Sequence, residues 1–288
     1  YKDILASGTI CSNAKVNIGL NIIDKAENGY HLLESLIQEI SLQDTINITI
    51  AQSDGDIIIK TAGIPIDCNN QANTCYKILS YIRKEYNIQN AITIELNKKI
   101  PIGAGLGGGS GNAAAILNFF NNKLNLKIST DKKNELCTKI GMDVPFFIKG
   151  SLQYAEKMGE ITTELPNVFK DHYFLIITPP FSIATKWAYS KLNKNLPSNK
   201  MRYNLLALEE PLKWDLFRND FENVVIPRYP EIGVLKGRLL DSGAIYSSLS
   251  GSGSTVFGIY NNYDQAVIAS KKIDHKKYHI TVTSPIYR

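Results

Sequence analysis

The first clear pattern in the chain is an alternation of apolar and polar residues between Ala14 and Ile22. Apolar side chains take the even positions of this segment, and polar or small residues take the odd ones. A period of two is typical of a β-strand with one buried face. Isoleucine at positions 46, 48 and 50 repeats the pattern and indicates an antiparallel sheet. Apolar runs at 32–42, 57–60, 91–96 and 174–178 predict further strands, the last of them buried.

Helical spacing replaces this alternation in three segments. Ala72, Cys75, Ile78, Leu79 and Ile82 recur at intervals of three and four, which predicts a helix over 72–86. Residues 112–120 have strong helix propensity, and a third helix is expected to begin at 129 or 130, where a Ser or Thr can serve as N-cap. Residues 190–204, rich in Asn, Lys, Pro and Ser, are expected to form a mobile loop.

A glycine-rich segment between Pro101 and Gly111 carries the strongest chemical signal. Six glycines lie within it, and a run of helix formers follows directly. Such density is expected where the backbone needs positive φ angles or must come close to a ligand. The amides and dipole of a following helix N-terminus favour an anion. We therefore expect a phosphate-binding loop here, in preference to a flexible linker.

Two better-known glycine motifs fit this segment poorly. Residues 103–108 formally match the dinucleotide fingerprint G-x-G-x-x-G, but that fingerprint follows a strand directly. Here the strand predicted at 91–96 is separated from the glycines by residues 97–101. A Walker A loop would close with Gly-Lys-Ser or Gly-Lys-Thr, which this segment lacks.

Several charged residues have both a chemical and a structural interpretation. Lys15 and Asn17 share the polar face of the first strand, which is by default a solvated face. Lys98 and Lys99 precede the glycines, where either could reach a phosphate from the rim or simply be exposed. Asp143 comes before a Val-Pro pair and is expected on a fixed turn, either as a functional carboxylate or as a helix N-cap.

Tyr30 and His31 follow a strong hairpin-turn signal, Asn28-Gly29. An aromatic ring beside an imidazole can stack on a nucleobase and hydrogen-bond its edge. A packed tyrosine and a surface histidine are the structural alternative.

Composition excludes several classes of protein. The 288 residues are 44% hydrophobic and 20% charged, which is ordinary for a soluble globular protein of one large or two modest domains. The net charge of +5 suits anionic ligands, but no basic run indicates a nucleic-acid partner. The uncharged stretch 100–122 is too rich in Gly, Pro and Asn for a membrane span, and no secretory signal is evident. The four cysteines lack zinc-site spacing, so no metal ligands are assigned and reduced thiols are expected.

The glycine segment, read as Pro-x-Gly-Ala-Gly-Leu-Gly-Gly-Gly-Ser-x-Asn-Ala-Ala, resembles the phosphate loop of the GHMP kinases. Further segments are similar to that family: residues 13–17, 28–31, 141–147, 182–189, 219–222 and 249–257. Asn28-Gly-Tyr-His31 resembles in particular the Asp-Gly-Tyr-His motif of the 4-diphosphocytidyl-2-C-methyl-D-erythritol kinase branch. That branch usually has Ser-Ser where this chain has Ser110-Gly111.

The resemblance implies an α+β, two-domain GHMP kinase fold. Its N-terminal α/β domain would span 1–155 and its C-terminal ferredoxin-like α/β domain 156–288, with the site in the cleft between them. It implies ATP and Mg²⁺ as cofactors and phosphorylation of the 2-hydroxyl of 4-diphosphocytidyl-2-C-methyl-D-erythritol, in non-mevalonate isoprenoid synthesis. A cytoplasmic enzyme, monomeric or weakly dimeric, with no nucleic-acid or membrane partner, is the corresponding expectation.

The resemblance also implies a role for each candidate residue. Lys15 would hold the reacting hydroxyl and Asp143 would be the base. The predicted ATP-binding residues are Pro101, Ile102, Gly103, Ala104, Gly105, Leu106, Gly107, Gly108, Gly109, Ser110 and Gly111. The predicted substrate-binding residues are Asn17, Tyr30, His31, Lys98, Thr185 and Tyr189, with Trp187 as a competitor of Tyr189 for the stacking position.

Two alternatives stay open at this point. Another GHMP kinase, of the mevalonate or homoserine type, would keep the phosphate motifs but should lack the Tyr30-His31 pair. A non-catalytic or dinucleotide-binding protein would keep glycine loops yet need neither Lys15 nor Asp143.

Overall fold

The computed structural model describes residues 3–27, 29–192, 203–209 and 211–288. These residues form two compact units. Unit 1 contains the described residues up to Ala14, with Leu42–Ile102 and Gly107–Lys149. Unit 2 contains Lys15–Ser41, Gly103–Leu106 and the described part of Gly150–Arg288. The units interleave along the chain, and the boundary at 155/156 stays a prediction. Most of the predicted loop at 190–204, namely 193–202, lies outside the described residues.

Two long strands, β1 (Ile4–Lys25) and β2 (His31–Asp54), pair with each other and contribute segments to both units. The alternation that predicted β1 is confirmed, since Val16, Ile18 and Leu20 are buried. The opposite face differs from the expectation, because Lys15 and Asn17 are buried as well. This part of β1 is therefore covered on both faces, which a period of two in the sequence cannot reveal.

Unit 1 packs helices beside short strands. After β3 (Ile57–Gly63) come a 3₁₀ turn (Asn70–Ala72), α1 (Thr74–Tyr86), β4 (Asn90–Lys98), α2 (Gly108–Lys123), α3 (Thr130–Thr138) and α4 (Val144–Lys149). Strand β4 lies between β3, to which it is parallel, and the 45–54 part of β2, to which it is antiparallel. Helix α2 packs against both α1 and α4.

The helix predicted at 72–86 is confirmed as α1. Cys75, Ile78, Leu79 and Ile82 all face the interior, because residues at these intervals fall on one side of a 3.6-residue helix. Asn73 caps the helix, since its side-chain oxygen accepts from the Cys75 N–H at 2.9 Å. The burial that the spacing predicted is confirmed, and the structure adds the N-cap at Asn73.

Two helix starts differ from the sequence expectation. Ser129 is the N-cap of α3, as one of the two candidates, but α2 begins at Gly108 and α4 at Val144. The glycines at 108–111 are thus helical, although glycine disfavours a helix by about 1 kcal/mol relative to alanine. The reason is close packing: a Cβ on Gly111 would lie 2.7 Å from the Asn13 carbonyl oxygen.

Unit 2 contains a hairpin, β5 (Leu152–Glu156) and β6 (Ile161–Glu164), of which β5 pairs with Ser35–Gln38 of β2. Its main body follows as β7 (Tyr173–Thr178), α5 (Thr185–Lys191), α6 (Tyr203–Ala207), a 3₁₀ turn (Trp214–Leu216), α7 (Glu222–Arg228), α8 (Pro230–Asp241), β8 (Tyr246–Leu249), β9 (Val256–Tyr260), α9 (Tyr263–Ser270) and β10 (His279–Thr283).

The four strands β7 to β10 form an antiparallel sheet in the order β10-β7-β9-β8. This order, with helices between β7 and β8 and between β9 and β10, is the ferredoxin-like arrangement predicted for the C-terminal domain. Helix α8 packs on β8 and β9, and α9 packs on β7. The apolar run predicted as a buried strand is β7, where Leu175 and Ile177 face a core that includes Leu235, Leu239 and Ala266.

All four cysteines are free, as expected. Cys11 and Cys68 are exposed, whereas Cys75 and Cys137 are buried. Burial raises the pKa of each buried thiol to about 12, so both stay protonated and inert at neutral pH.

Candidate functional site

The polar face of β1 forms a buried network in unit 2. Lys15 Nζ donates to Asn17 Oδ1 at 2.5 Å, and Asn17 Nδ2 donates to Ser35 Oγ at 2.7 Å. Ser35 Oγ in turn donates to the Gly19 carbonyl at 2.8 Å. Because buried polar groups are costly unless they are hydrogen-bonded, this network fixes the Lys15 ammonium in one place. The sequence placed Lys15 and Asn17 on one face correctly, and the structure adds Ser35.

The glycine segment is tied to the same strand through its backbone. The Lys15 N–H donates to the Leu106 carbonyl at 3.0 Å. Ser250 Oγ donates to the Gly105 carbonyl at 2.8 Å and accepts from the Asn17 N–H at 3.3 Å. Residues 105 and 106 of the glycine segment are therefore hydrogen-bonded, directly or through Ser250, to the part of β1 that carries Lys15.

Gly105 shows why glycine is required in this segment. Its φ angle is +79°, and a Cβ placed on it would lie 2.1 Å from the Ser250 carbonyl oxygen. Gly103 and Gly107 also have positive φ angles, of +64° and +68°. The prediction of positive φ angles is confirmed, whereas close approach to a ligand stays a prediction, because the close neighbour of Gly105 in the structure is the backbone at Ser250.

The turn between β8 and β9, the second glycine-rich segment of the sequence, is held by residues to which the sequence analysis gave no role. Asn219 Nδ2 donates to the carbonyls of Leu249 and Gly251 at 2.7 and 2.8 Å. Glu222 Oε1 accepts from the Leu249 N–H at 2.9 Å. The only signal in the sequence was the resemblance of 219–222 to a family segment, because these residues are about thirty positions from the turn along the chain.

His31 and Tyr189 form a stacked pair, with ring centroids 4.9 Å apart and planes 21° apart. The Tyr30 ring beside them is largely exposed. Burial lowers the pKa of His31 from its usual value, and the positive charge of Lys25 adds to that shift. The imidazole is therefore neutral at pH 7. Asn28, the first residue of this motif, lies outside the described residues.

Trp187 and Tyr189, the two candidates for the stacking position, have different neighbours within unit 2. Trp187 packs edge-on against Tyr229, with centroids 5.6 Å apart, whereas Tyr189 contacts both His31 and Phe221. Only Tyr189 is therefore placed beside the histidine.

Thr185 and Tyr189 lie four residues apart on α5, as the sequence suggested. The Thr185 hydroxyl is 2.9 Å from the Ser252 hydroxyl, in the turn between β8 and β9. This hydrogen bond links the start of α5 to the second glycine-rich turn.

In unit 1 the later glycines open helix α2. Gly107 takes the N-cap position in the left-handed conformation, and the first intrahelical bond runs from the Gly111 N–H to the Gly107 carbonyl at 2.9 Å. The amides of Gly108, Gly109 and Ser110 precede that bond, and N–H groups in a first turn have no partner within the helix. They are the groups available to an anion.

Lys98 does not lie on an exposed rim. It is the last residue of β4 and is buried, and its ammonium pairs with Asp44 at 2.5 Å. Burial lowers the pKa of Lys98, and the Asp44 carboxylate opposes that shift. Lys99, the alternative candidate, is exposed.

Asp143 lies on the turn that precedes α4 and is half-buried. The sequence predicted a fixed turn at this position, and the structure has one. Its place directly before a helix is also the place of an N-cap, so both interpretations of this aspartate agree with its position.

In the described part of the chain, every helix is too short or too polar to span a membrane. Among the same residues, no group of three or more His, Cys, Asp or Glu side chains could hold a metal ion.

Comparisons with known proteins match nearly the whole length of the chain. The model for the GHMP kinases N terminal domain matches residues 73–151, and the model for the GHMP kinases C terminal domain matches residues 201–280. A 4-diphosphocytidyl-2-C-methyl-D-erythritol kinase of Chlorobium phaeobacteroides is 34% identical over 286 residues, which cover 96% of this chain and 95% of the relative. The chain belongs to the GHMP kinase family.

Other relatives agree with this assignment. A protein of the same name from Bacteroides fragilis is 36% identical over 250 residues, covering 86% of this chain and 90% of its own. A solved structure of 4-(cytidine 5'-diphospho)-2C-methyl-D-erythritol kinase superposes with a TM-score of 0.75 at 26% identity, covering 96% of this chain and 99% of that one. Mevalonate kinase of L. major, with a TM-score of 0.73 at 14% identity over 99% of this chain and 98% of its own, shows the shared fold.

Membership of the GHMP kinases removes the dinucleotide-binding alternative. Residues 99–107 separate β4 from α2, so the glycines do not form the tight strand-to-helix turn of a dinucleotide fingerprint. The family resemblance read from the motifs is confirmed, as is the two-domain fold class.

The close approach at Gly105 gives a direct test of this backbone arrangement. We expect Gly105→Ala to lower the free energy of unfolding by more than ~2 kcal/mol, because the new Cβ meets the Ser250 carbonyl and φ is strained. Gly243→Ala is the matched control, since Gly243 has a φ of +100° with nothing within 4 Å of an added Cβ. Chemical denaturation of both variants measures the difference, and equal losses would contradict the close approach.

Proposed function

We propose that this GHMP kinase transfers the γ-phosphoryl group of ATP to the 2-hydroxyl of 4-diphosphocytidyl-2-C-methyl-D-erythritol. The observation that carries the proposal is the nearly full-length similarity to kinases of that name, at 34% identity over 96% of the chain. The stacked His31 and Tyr189 rings support it, because both rings come from segments that resemble the family's cytosine-binding motifs.

The phosphate end of ATP is assigned to the glycine segment. The amide N–H groups of residues 108–110, at the start of α2, would donate hydrogen bonds to phosphate oxygens, and the positive end of the helix dipole would favour the phosphate charge. Residues 101–107 lead into that turn and expose Ile102 beside it. The ATP-binding role of each residue from Pro101 to Gly111 belongs to this proposal.

Mg²⁺ can bind in this arrangement without a full set of protein ligands. Mg²⁺ usually binds one or two protein oxygens and the substrate phosphates, retaining several waters. Ser110, half-buried in the first turn of α2, offers a hydroxyl to such an ion. When bound, the ion would neutralise charge shared by the β- and γ-phosphates.

The chemical step is assigned to two residues. Asp143 would accept the proton of the attacking hydroxyl, and Lys15 would hold that hydroxyl or stabilise charge that develops during transfer. Lys15 suits this task because its network with Asn17 and Ser35 fixes the ammonium before substrate arrives. Asn17 would share in positioning the hydroxyl, and Lys98 would contact a phosphate of the bound ligands.

The cytidine end of the substrate is assigned to Tyr30, His31, Thr185 and Tyr189. A ring that stacks on a base contributes about 1–3 kcal/mol, and a neutral imidazole offers one donor and one acceptor to the base edge. Binding energy gained far from the reacting atoms can fix their orientation.

A cytoplasmic enzyme that acts as a monomer or weak homodimer completes the proposal.

The proposed activity is tested by ATP consumption with Mg²⁺ in three separate assays. We expect turnover with 4-diphosphocytidyl-2-C-methyl-D-erythritol and at least 100-fold lower kcat/KM with mevalonate or homoserine, because only the first carries a base for the His31–Tyr189 pair. Phosphate on the 2-hydroxyl, located by NMR, identifies the product. Turnover with mevalonate or homoserine instead would leave the kinase assignment standing and remove this substrate.

Asp143→Asn tests the base. We expect kcat to fall about 10²- to 10⁴-fold while the affinity for ATP is kept, since the loss of a general base acts on the transition state. Asp131→Asn is the control, because Asp131 is an exposed aspartate in the first turn of α3. Steady-state kinetics and calorimetric ATP binding give the two values. Wild-type kcat in Asp143→Asn would remove Asp143 from the mechanism.

His31→Ala tests the cytidine pocket. We expect KM for the cytidine substrate to rise about 10- to 100-fold, with KM for ATP unchanged, from the loss of about 1–3 kcal/mol of stacking and hydrogen bonding. In the wild type the same KM should rise as pH falls through the lowered pKa of His31, where the ring gains a proton. Tyr189→Phe, which keeps the ring, is the control. An unchanged KM in His31→Ala would remove the pocket.

A further inference from the structure

Asp44 is a fully buried carboxylate that the proposed mechanism does not use. It lies on β2, near the pairing of Thr45 with β4. Its Oδ1 accepts from the backbone N–H groups of Lys99 and Ile100 at 2.7 and 2.9 Å, and its Oδ2 accepts from Lys98 Nζ at 2.5 Å. A single carboxylate thus holds both the backbone and the side chain at the end of β4.

Helix α2 supplies a fourth donor to the same carboxylate. With its amide nitrogen turned toward the acceptors, Asn112 donates to Asp44 Oδ2 at 3.1 Å, to Ser12 Oγ at 2.9 Å and to the Gly108 carbonyl at 3.0 Å. Ser12 and Asn112 are themselves buried. Asp44 therefore joins the end of β4 to the first turn of the glycine-rich helix.

The ammonium of Lys98 lies against that first turn. A Cβ on Gly108 would be 2.7 Å from Lys98 Nζ. A cation at a helix N-terminus is unfavourable, because the positive end of the helix dipole repels it. A buried ammonium without a counter-charge also tends to lose its proton. The Asp44 carboxylate offsets both effects at the first turn of α2, where the helix amides are proposed above to bind phosphate.

We propose that Asp44 is a positioning residue for phosphate binding: it fixes the charged Lys98 side chain beside the first turn of α2, where ammonium and amides act on one phosphate group. The inference rests on the role proposed above for Lys98. Asp44 itself touches no ligand and acts through Lys98.

Stability alone gives no reason for this pair. Replacing a buried ion pair by apolar residues is often neutral or stabilising, whereas removing one partner is strongly destabilising. The presence of the Lys98–Asp44 pair is explained if one of the two side chains also binds a ligand. The ammonium has three donors, of which one serves Asp44, so it can serve a phosphate oxygen as well.

The test is a double-mutant cycle of Asp44→Asn, Lys98→Met and the double variant. Asn keeps an oxygen for the backbone N–H groups but turns an NH₂ group toward Lys98. We expect Asp44→Asn to lower kcat/KM at least 10-fold, and the double variant to match Lys98→Met within about 2-fold, because Asp44 has no effect once the ammonium is gone. Asp54→Asn, on the same strand but exposed, is the control with wild-type kcat/KM.

Two results would overturn the proposal. One is wild-type kcat/KM in Asp44→Asn. The other is a double variant whose loss equals the product of the two single losses, which would mean that Asp44 acts on the fold independently of Lys98. If Asp44→Asn does not fold, the neutral double variant is compared with Lys98→Met, and a further loss of 10-fold or more in the folded double variant contradicts the proposal.

A pH profile separates positioning from a general structural role. The titratable groups that face Lys98 are Asp44 from β2 and Cys75 from α1, and Cys75 stays neutral because burial raises its pKa to about 12. Loss of the Asp44 charge lowers the pKa of Lys98 further, so the ratio of wild-type kcat/KM to that of Asp44→Asn should grow as pH rises. A ratio that is constant with pH would contradict the proposal.

Binding measurements keep the test separate from the proposed substrate. Calorimetry with ATP and with 4-diphosphocytidyl-2-C-methyl-D-erythritol is run on the same four proteins and the wild type. At least one ligand should bind 10-fold more weakly to Asp44→Asn, and unchanged affinity for both overturns the proposal. Absence of wild-type turnover with the three alcohols, combined with weakened ATP binding in the variant, would contradict the proposed function and leave the role of Asp44 intact.

Discussion

Unit 2 depends on an approach between two backbone segments that no side chain would permit. A Cβ on Gly105 would lie 2.1 Å from the Ser250 carbonyl oxygen, so residues 103–106 and the turn after β8 can meet only through glycine. Ser250 Oγ then donates to the Gly105 carbonyl and accepts from the Asn17 N–H. Asn17 Oδ1 in turn accepts a hydrogen bond from the Lys15 ammonium. Loss of the close approach would therefore displace the lysine as well as the loop.

Two lysines of the described chain, Lys15 in unit 2 and Lys98 in unit 1, are buried. The Lys15 ammonium donates to the Asn17 amide oxygen, and the Lys98 ammonium pairs with the Asp44 carboxylate. Because a buried charge is costly unless it is hydrogen-bonded or paired, these partners allow both side chains to lie inside the protein.

Much of the fold could be predicted from the sequence, because the local pattern and the tertiary packing agree. The helical spacing of Cys75, Ile78, Leu79 and Ile82 and the apolar run of β7 both describe faces that the structure buries. The motifs also placed Tyr189 beside His31. In each case a periodicity or a short motif carried the information.

What the sequence could not show depends on neighbours that are distant in the chain. The face of β1 that carries Lys15 has the pattern of a solvated face, but in the structure it is buried and contacts Leu106 and Ser35, which are distant in the chain. The start of α2 could not be predicted, since propensity opposes helical glycine while packing requires it. Asp44 has no motif around it, and its partners come from three other elements.

The interleaving of the two units has a consequence for the order in which the protein is synthesised. Every segment of unit 1 has been synthesised once Lys149 is made. Residues 15–41 of unit 2 are made early, but the β5 strand that pairs with Ser35–Gln38 comes more than a hundred residues later. Strands β1 and β2 can pair with each other early, but Ser35–Gln38 must wait for β5 while the chain grows, so the nascent protein exposes backbone groups that β5 covers later.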